Sequence, residues 1–190
     1  MSQADIDAFV HSAGDVTLTP TGVIIAVVTK GIPVNARSGA CGWTALRWAA
    51  LFFRRRELAA ALLAVGADPD VKDTDGRTSV WWAAYDGTAD ILQLLIEGGG
   101  NVNEPDDEGR TPLIALLRYN MNNDGDAAAR LQVLLPCPEL NLNTEYDGRT
   151  AEEWAVICGH SEFVAAIARR KRWSTVRHAW VAWVGREHHE

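Results

Sequence analysis

The chain holds 190 residues, 47% hydrophobic and 23% charged, enough for a continuous core and too apolar for a disordered segment. Its formal net charge is −7, but residues 169–190 hold six basic residues against two acidic ones, so residues 1–168 carry −11. An acidic body of this kind suits basic or mixed-charge partners and gives no support to nucleic-acid binding by the body. No apolar run approaches the ~18 residues of a membrane span; residues 23–28, for example, make a run of six. The first 29 residues carry Asp5, Asp7 and Asp15 and no Lys or Arg, which argues against a secretory leader or an Arg-rich presequence. Cys41, Cys137 and Cys158 are odd in number and widely spaced. They imply neither a disulfide framework nor a cysteine zinc site, and a reduced, cytoplasmic compartment fits them.

In chain order, residues 4–12 and 21–30 are expected to be helices, forming an irregular N-terminal unit over 1–36. The run 23–28 has strand propensity, but the repeat register of the downstream chain argues for helix. Gly42-Trp43-Thr44-Ala45-Leu46 recurs as Gly76-Arg77-Thr78-Ser79-Val80, Gly109-Arg110-Thr111-Pro112-Leu113 and Gly148-Arg149-Thr150-Ala151-Glu152. The threonines stand 34, 33 and 39 residues apart. A second series keeps the same period: 31–35 (Gly31 to Asn35), 66–70, 99–103 and the looser 138–143. The segment Asp-x-x-Gly-Arg-Thr is turn chemistry, with a glycine for positive φ and a threonine to cap the next helix. Small residues follow, as in Trp48-Ala49-Ala50 and Trp82-Ala83-Ala84, where helices must approach closely. A second helix then shows apolar spacing at Leu58, Ala61, Leu62 and Val65, and at Ile91, Leu92, Leu94 and Leu95, ended by Gly66 and Gly98. A unit of two helices and a turn cannot bury its apolar faces alone; stacked units form a one-dimensional core.

These residues resemble the ankyrin repeat family. Thr111-Pro112-Leu113, Gly66-Ala67-Asp68 and Gly159-His160-Ser161-Glu162 match its signatures, and the resemblance covers residues 37–168. It implies an all-α solenoid of four repeats with turn fingers, followed by a basic, Trp-rich C-terminal helix over 169–190 acting as a cap. The chain departs from the family where a histidine usually follows Thr-Pro-Leu: Arg47, Trp81, Ile114 and Glu153 stand there. The third repeat also carries about six extra residues.

Nothing in the sequence assembles a catalytic site, a cofactor cradle or a metal site. His11, His160, His178, His188 and His189 are scattered, and His160 begins a repeat's second helix. Residues 98–100 are a glycine helix stop, with no Lys-bearing helix after them to cradle a phosphate. The insertion opens like a calcium loop at Asn120, Asn122 and Asp124-Gly125, but its twelfth position is Leu131 instead of a bidentate Glu. It is expected to be a solvated loop or a partner contact.

What remains is recognition by surface. The resemblance implies binding on a concave side made of turn tips and exposed first-helix positions. Those positions are Trp43, Leu51 and Phe52; Thr74, Asp75, Arg77, Trp81, Tyr85 and Asp86; Asp107, Glu108, Arg110, Arg118 and Tyr119; and Tyr146, Asp147 and Arg149. Trp48, Trp82 and Trp154 are expected to be packed, Trp43 and Trp81 exposed. Acids at the turns (Asp73, Asp75, Glu104, Asp106, Asp107, Glu108, Glu145, Asp147) are expected to select a basic protein partner. A second surface combines Arg169, Arg170, Arg172 and Trp173 with Trp180 and Trp183, on a helix that Ser174 would cap. It would dock the chain as a subunit of a larger assembly. The same segment could also serve as an import signal or touch a membrane, an acidic partner or nucleic acid.

Overall fold

The computed structural model describes residues 2–13, 19–51, 56–119 and 126–173. Helix α1 (Gln3–Ser12) opens on a reciprocal cap, in which the Ser2 hydroxyl accepts the Asp5 N–H and the Asp5 carboxylate accepts the Ser2 N–H. Helix α2 (Pro20–Ile24) has Thr19 as its cap and Pro20 at its first position, and it continues as a π-helical segment, Ile25–Thr29. The valine-rich run is therefore helical. Val23 and Ala26 turn into the core and α2 packs on the helix behind it, a tertiary gain that outweighs strand propensity.

Four two-helix units succeed this one: α3 (Ala45–Leu51) with α4 (Arg56–Ala64), α5 (Ser79–Asp86) with α6 (Ala89–Glu97), and α7 (Pro112–Tyr119) with α8 (Asp126–Leu134). The last pairs α9 (Ala151–Ile157) with α10, over 161–173. The recurring threonine caps every first helix: Thr44, Thr78, Thr111 and Thr150 accept the N–H three residues on at 3.1, 3.1, 3.4 and 3.5 Å. First helices stack on first helices, α1 on α3 on α5 on α7 on α9, and second helices α2, α4, α6 and α8 form the row behind. The core runs unbroken from Phe9 and Val10 to Phe163 and Ile167.

The second sequence series ties each unit to the next. The side-chain oxygens of Asn35, Asp70 and Asn103 accept the backbone N–H groups of Asp68, Asn101 and Asn141 at 2.8, 2.9 and 2.8 Å. Backbone that helices leave unpaired is thus satisfied one repeat away. Gly87 is needed for another reason: a Cβ there would stand 2.6 Å from the Ala50 carbonyl oxygen and 2.6 Å from the Ala83 Cα. Helix α6 is capped by Gly98, while its left-handed residue is the next one, Gly99, at φ 93°.

At the far end, α10 runs through residue 168 to 173, so Arg169 to Arg172 are turns of the fourth repeat's second helix and do not start a new one. The helix expected from Ser174, with Trp180 and Trp183, lies outside the described residues. Among the described residues, helix α9 is the last of the stacked first helices. Ala50, Ala84 and Leu117 hold one repeat position and are fully buried, while Val156 at the same position is 60% exposed and Ile157 beside it is exposed too.

Candidate partner-binding face

Between Trp43 and Trp154 the finger turns and first helices carry a continuous ladder of rings and guanidinium groups. The first rung is Trp43, half-buried, edge-on to Trp48 at 4.6 Å, with the Arg47 guanidinium 3.5 Å over its ring and 4.3 Å from Trp82. Arg77 is next, 4.9 Å from Trp81 and 5.1 Å from Trp82. Trp81 stacks on Tyr85 at 5.3 Å, and Tyr85 meets the edge of Tyr119 at 5.2 Å. Arg110 reaches both Trp81 and Tyr119, and its Nη1 donates to the Tyr119 hydroxyl at 2.7 Å. Arg118 lies 4.7 Å from Trp154 and 5.1 Å from Tyr146, donating to the Tyr146 hydroxyl at 2.8 Å. Arg149 ends the series 5.5 Å from Trp154. Each of these arginines is a cation held near a ring, a geometry that fixes otherwise floppy side chains.

The fingers set this spacing. In the second and third, an aspartate at the base folds inward. Asp73 Oδ1 accepts the N–H groups of Asp75 and Arg77, and its Oδ2 accepts from Trp82 Nε1 at 2.8 Å. Asp106 Oδ1 accepts from Glu108 and Arg110 N–H, and its Oδ2 takes Arg110 Nε at 2.7 Å. Successive fingertips are hydrogen-bonded as well, Thr74 N–H to the Cys41 carbonyl and Asp107 N–H to the Asp75 carbonyl, both at 3.0 Å.

Several expectations need correction. Trp81 is buried at 2% exposure, because the next finger closes over it and its Nε1 donates to the Arg110 carbonyl at 3.0 Å. That contact supplies, from a tryptophan, a bond between repeats at the position where the family's histidine is missing. Arg110 is buried too, drawn in by Asp106. Asp73 and Asp106 are buried turn acceptors and contribute no surface charge, and Asp75, Glu108 and Asp147 are each held by the arginine two residues on, at 2.9, 2.7 and 3.3 Å. Each of these tip acids thus has an arginine beside it, while Asp107 and Glu145 stay exposed without an ion pair among the described residues, so the fingers keep a net negative charge. Arg170 also differs from expectation: it is half-buried, donating to the Leu135 and Cys137 carbonyls at 2.7 and 3.2 Å.

Of the other positions, Thr74, Asp75, Asp86, Asp107, Glu108, Tyr119, Asp147 and Arg149 are exposed, and Trp43, Leu51, Arg77, Tyr85, Arg118 and Tyr146 are half-buried. Phe52 and residues 120–125 of the insertion lie outside the described residues. Arg169, Arg172 and Trp173 are exposed at the end of α10, apart from the finger face. The sequence pattern missed Arg47, Trp82 and Trp154 as rungs. The signal was present as aromatic and arginine residues four apart, Trp43 with Arg47 and Arg77 with Trp81, one helical turn across each cap.

Arg47 is the least compensated charge on the ladder. It is 4% exposed, its Nε and Nη1 have no hydrogen-bond partner among the described residues, and burial pushes its pKa down to about 10 despite the nearby charge of Asp73. Burial likewise raises the thiols of Cys137 and Cys158, which makes them poor nucleophiles. No described helix is long and apolar enough to cross a membrane.

Two-helix units joined by finger turns and stacked on one core define a helical repeat protein. Residues 46–127 match the family model for ankyrin repeats (3 copies), and the chain carries ankyrin repeats stacked as an all-α ankyrin solenoid. It is 40% identical over 86 residues to the inactive serine/threonine-protein kinase TEX14 of Bos taurus, a match covering 45% of this chain and 6% of that protein. Over 81 residues it is 33% identical to the ankyrin repeat-containing protein P1E11.10 of Schizosaccharomyces pombe, 35% of this chain and 39% of the relative. Over 107 residues it is 36% identical to the NF-kappa-B inhibitor cactus of Drosophila yakuba, 55% of this chain and 21% of the relative. The chain thus spans well under half the length of these relatives. Ankyrin repeats generally mediate protein–protein interactions and are generally non-catalytic.

Proposed function

We propose that this chain is a non-catalytic adaptor that holds a protein partner on its finger face. The observation that carries this is the ladder from Trp43 to Arg149, which presents rigid aromatic and guanidinium groups across all four repeats. Large, pre-ordered aromatic area with a few oriented polar groups is what binding hot spots require. Selection by net negative charge, the basis for expecting a basic partner, rests on Asp107 and Glu145, since the other finger acids are buried or already paired with Arg or Lys. The name of one relative, an inhibitor of NF-kappa-B, accords with binding another protein. Three free thiols support a cytoplasmic placement. A photo-crosslinking amino acid at Tyr119, on the finger face, is expected to capture a discrete protein from native lysate. The same group at Gln93, exposed on α6 in the second row, is expected to capture none. Equal labelling from both positions, or none from Tyr119, would refute the assignment.

A second role is favoured by the exposed Val156, Ile157 and Trp173, which leave the last repeat with apolar side chains facing outward. They suit docking as a fixed subunit of a larger assembly. Truncation after Trp173 keeps the Arg170 and Lys171 contacts intact. Under this role the truncated chain keeps its helicity and loses its stoichiometric co-purifying proteins. Retention of the same proteins would leave the finger face as the binding surface.

A further inference from the structure

The five arginines of the ladder divide into two groups. Arg77, Arg110 and Arg149 each hold an acid of their own finger. Arg47 and Arg118 hold no carboxylate among the described residues. Arg47 is sealed between Trp43 and Trp82, whereas Arg118 is half-buried at the open junction of repeats three and four. A guanidinium has five N–H donors in a planar fork that matches a carboxylate. Arg118 spends one of them on a protein group, the Tyr146 hydroxyl.

We propose that Arg118 receives a carboxylate from an acidic peptide segment of the partner protein, which rests on the finger face being the recognition surface. The rings of Tyr119, Tyr146 and Trp154 hold the guanidinium within 5.7 Å and exclude part of its hydration. That lowers the cost of pairing it and fixes its fork before binding. The Tyr146 hydroxyl, which accepts from Arg118, keeps a proton to donate to the incoming acid. Arg149 lies against the same Trp154 ring with its side chain 46% exposed, and its link to Asp147 is a 3.3 Å solvent-exposed pair. A pair of that kind is weak and easily exchanged for a better-placed acid. The exposed acids of the flanking fingers, Asp107, Glu108, Glu145 and Asp147, belong to the finger turns, whereas the Arg118 rung itself pairs with no carboxylate among the described residues. The chain's net charge of −7 opposes an acidic ligand at long range, so recognition depends on the local fork and is expressed in the dissociation rate.

The test pans a phage-displayed library of random peptides against the full chain and measures the recovered peptides, dye-labelled, by anisotropy. Asp and Glu should be enriched. Arg118→Gln should weaken the best peptide about tenfold, as expected for one charge-assisted hydrogen-bonded pair. Arg118→Lys should recover part of that loss, and Arg56→Gln, which removes the same charge from the exposed start of α4, should change nothing. Replacing the key Glu of the peptide by Gln should reproduce the loss on the unaltered protein, with no further loss on Arg118→Gln; this arm does not depend on how any variant folds. Peptides without acids, or acidic peptides indifferent to Arg118→Gln, overturn the proposal. Peptides lost on Tyr119→Ala but indifferent to Arg118→Gln overturn it and leave the finger face as the recognition surface. Peptides indifferent to both remove the two together.

Discussion

Replacing Asp106 by alanine is expected to lower folding stability by about 3–4 kcal/mol, read as a reduced urea midpoint. The carboxylate is fully buried and does three things at once: Oδ1 ends two backbone N–H groups of its turn, and Oδ2 compensates Arg110 at 2.7 Å. Burial works against the Arg110 charge, and the bond and charge of Asp106 outweigh it, so the Arg110 pKa lies above its ordinary value. Removing the acid leaves two turn amides unpaired and a buried cation with only Glu108 and Tyr119 to hold it. Asn at the same position keeps the Oδ1 bonds and is expected to lose about half as much. Adding Arg110→Met to the alanine variant should cost little more, since the uncompensated charge leaves with it. The contrast is Glu104→Ala. Its 2.7 Å pair with Lys72 lies at the surface, with the Lys72 side chain exposed and that of Glu104 half-buried, and the change should stay within about 0.5 kcal/mol. Equal losses at Glu104 and Asp106 would show that the inward-folded aspartate does not hold the finger.

The repeat architecture was legible because its signals are local. A glycine that permits positive φ, a hydroxyl three residues before an amide and a period near 33 residues act within one turn or one unit. Thr44, Thr78, Thr111 and Thr150 accordingly cap the helices they precede. The three-glycine run was less clear, because any of its members can stop a helix; the backbone places the left-handed turn at Gly99.

The face was harder to read because burial there is decided by the neighbouring repeat. Charge made the finger acids look like surface, yet an Asp, one methylene shorter than a Glu, can bend back to its own turn amides. Asp73 and Asp106 do so, while Glu145 at the corresponding place in the fourth finger is exposed. The distinction between Asp and Glu across successive fingers was the available signal. The place of Trp81 after the cap suggests exposure, but Arg110 and its finger, 29 residues on, close over it. The arginine ladder needs both helices and fingers in place before its members meet. Spacing alone marked single pairs and could not join them across repeats.

Trp81→Ala is expected to cost about 4 kcal/mol of stability, near the upper range for an aromatic core deletion. The ring is 2% exposed, stacks on Tyr85, meets Trp82 edge-on at 5.2 Å and lies under Arg77. Trp81→Phe keeps most of that packing but removes the Nε1 donor, leaving the Arg110 carbonyl without the bond it receives at 3.0 Å, and should cost about 1–2 kcal/mol. The two variants separate the packing share from the share held by the bond between repeats. The functional consequence extends further than the ring. Tyr85 rests on Trp81 and Tyr119 rests on Tyr85, so the outermost aromatic, 41% exposed, is positioned through a residue that no partner can touch. Partner capture from a photo-crosslinker at Tyr119 should therefore fall in the Phe variant at a temperature where its helicity is unchanged. Undiminished capture in a folded Trp81→Phe protein would mean that Tyr119 is held by Arg110 alone, and that the ladder contributes stability without shaping the binding surface.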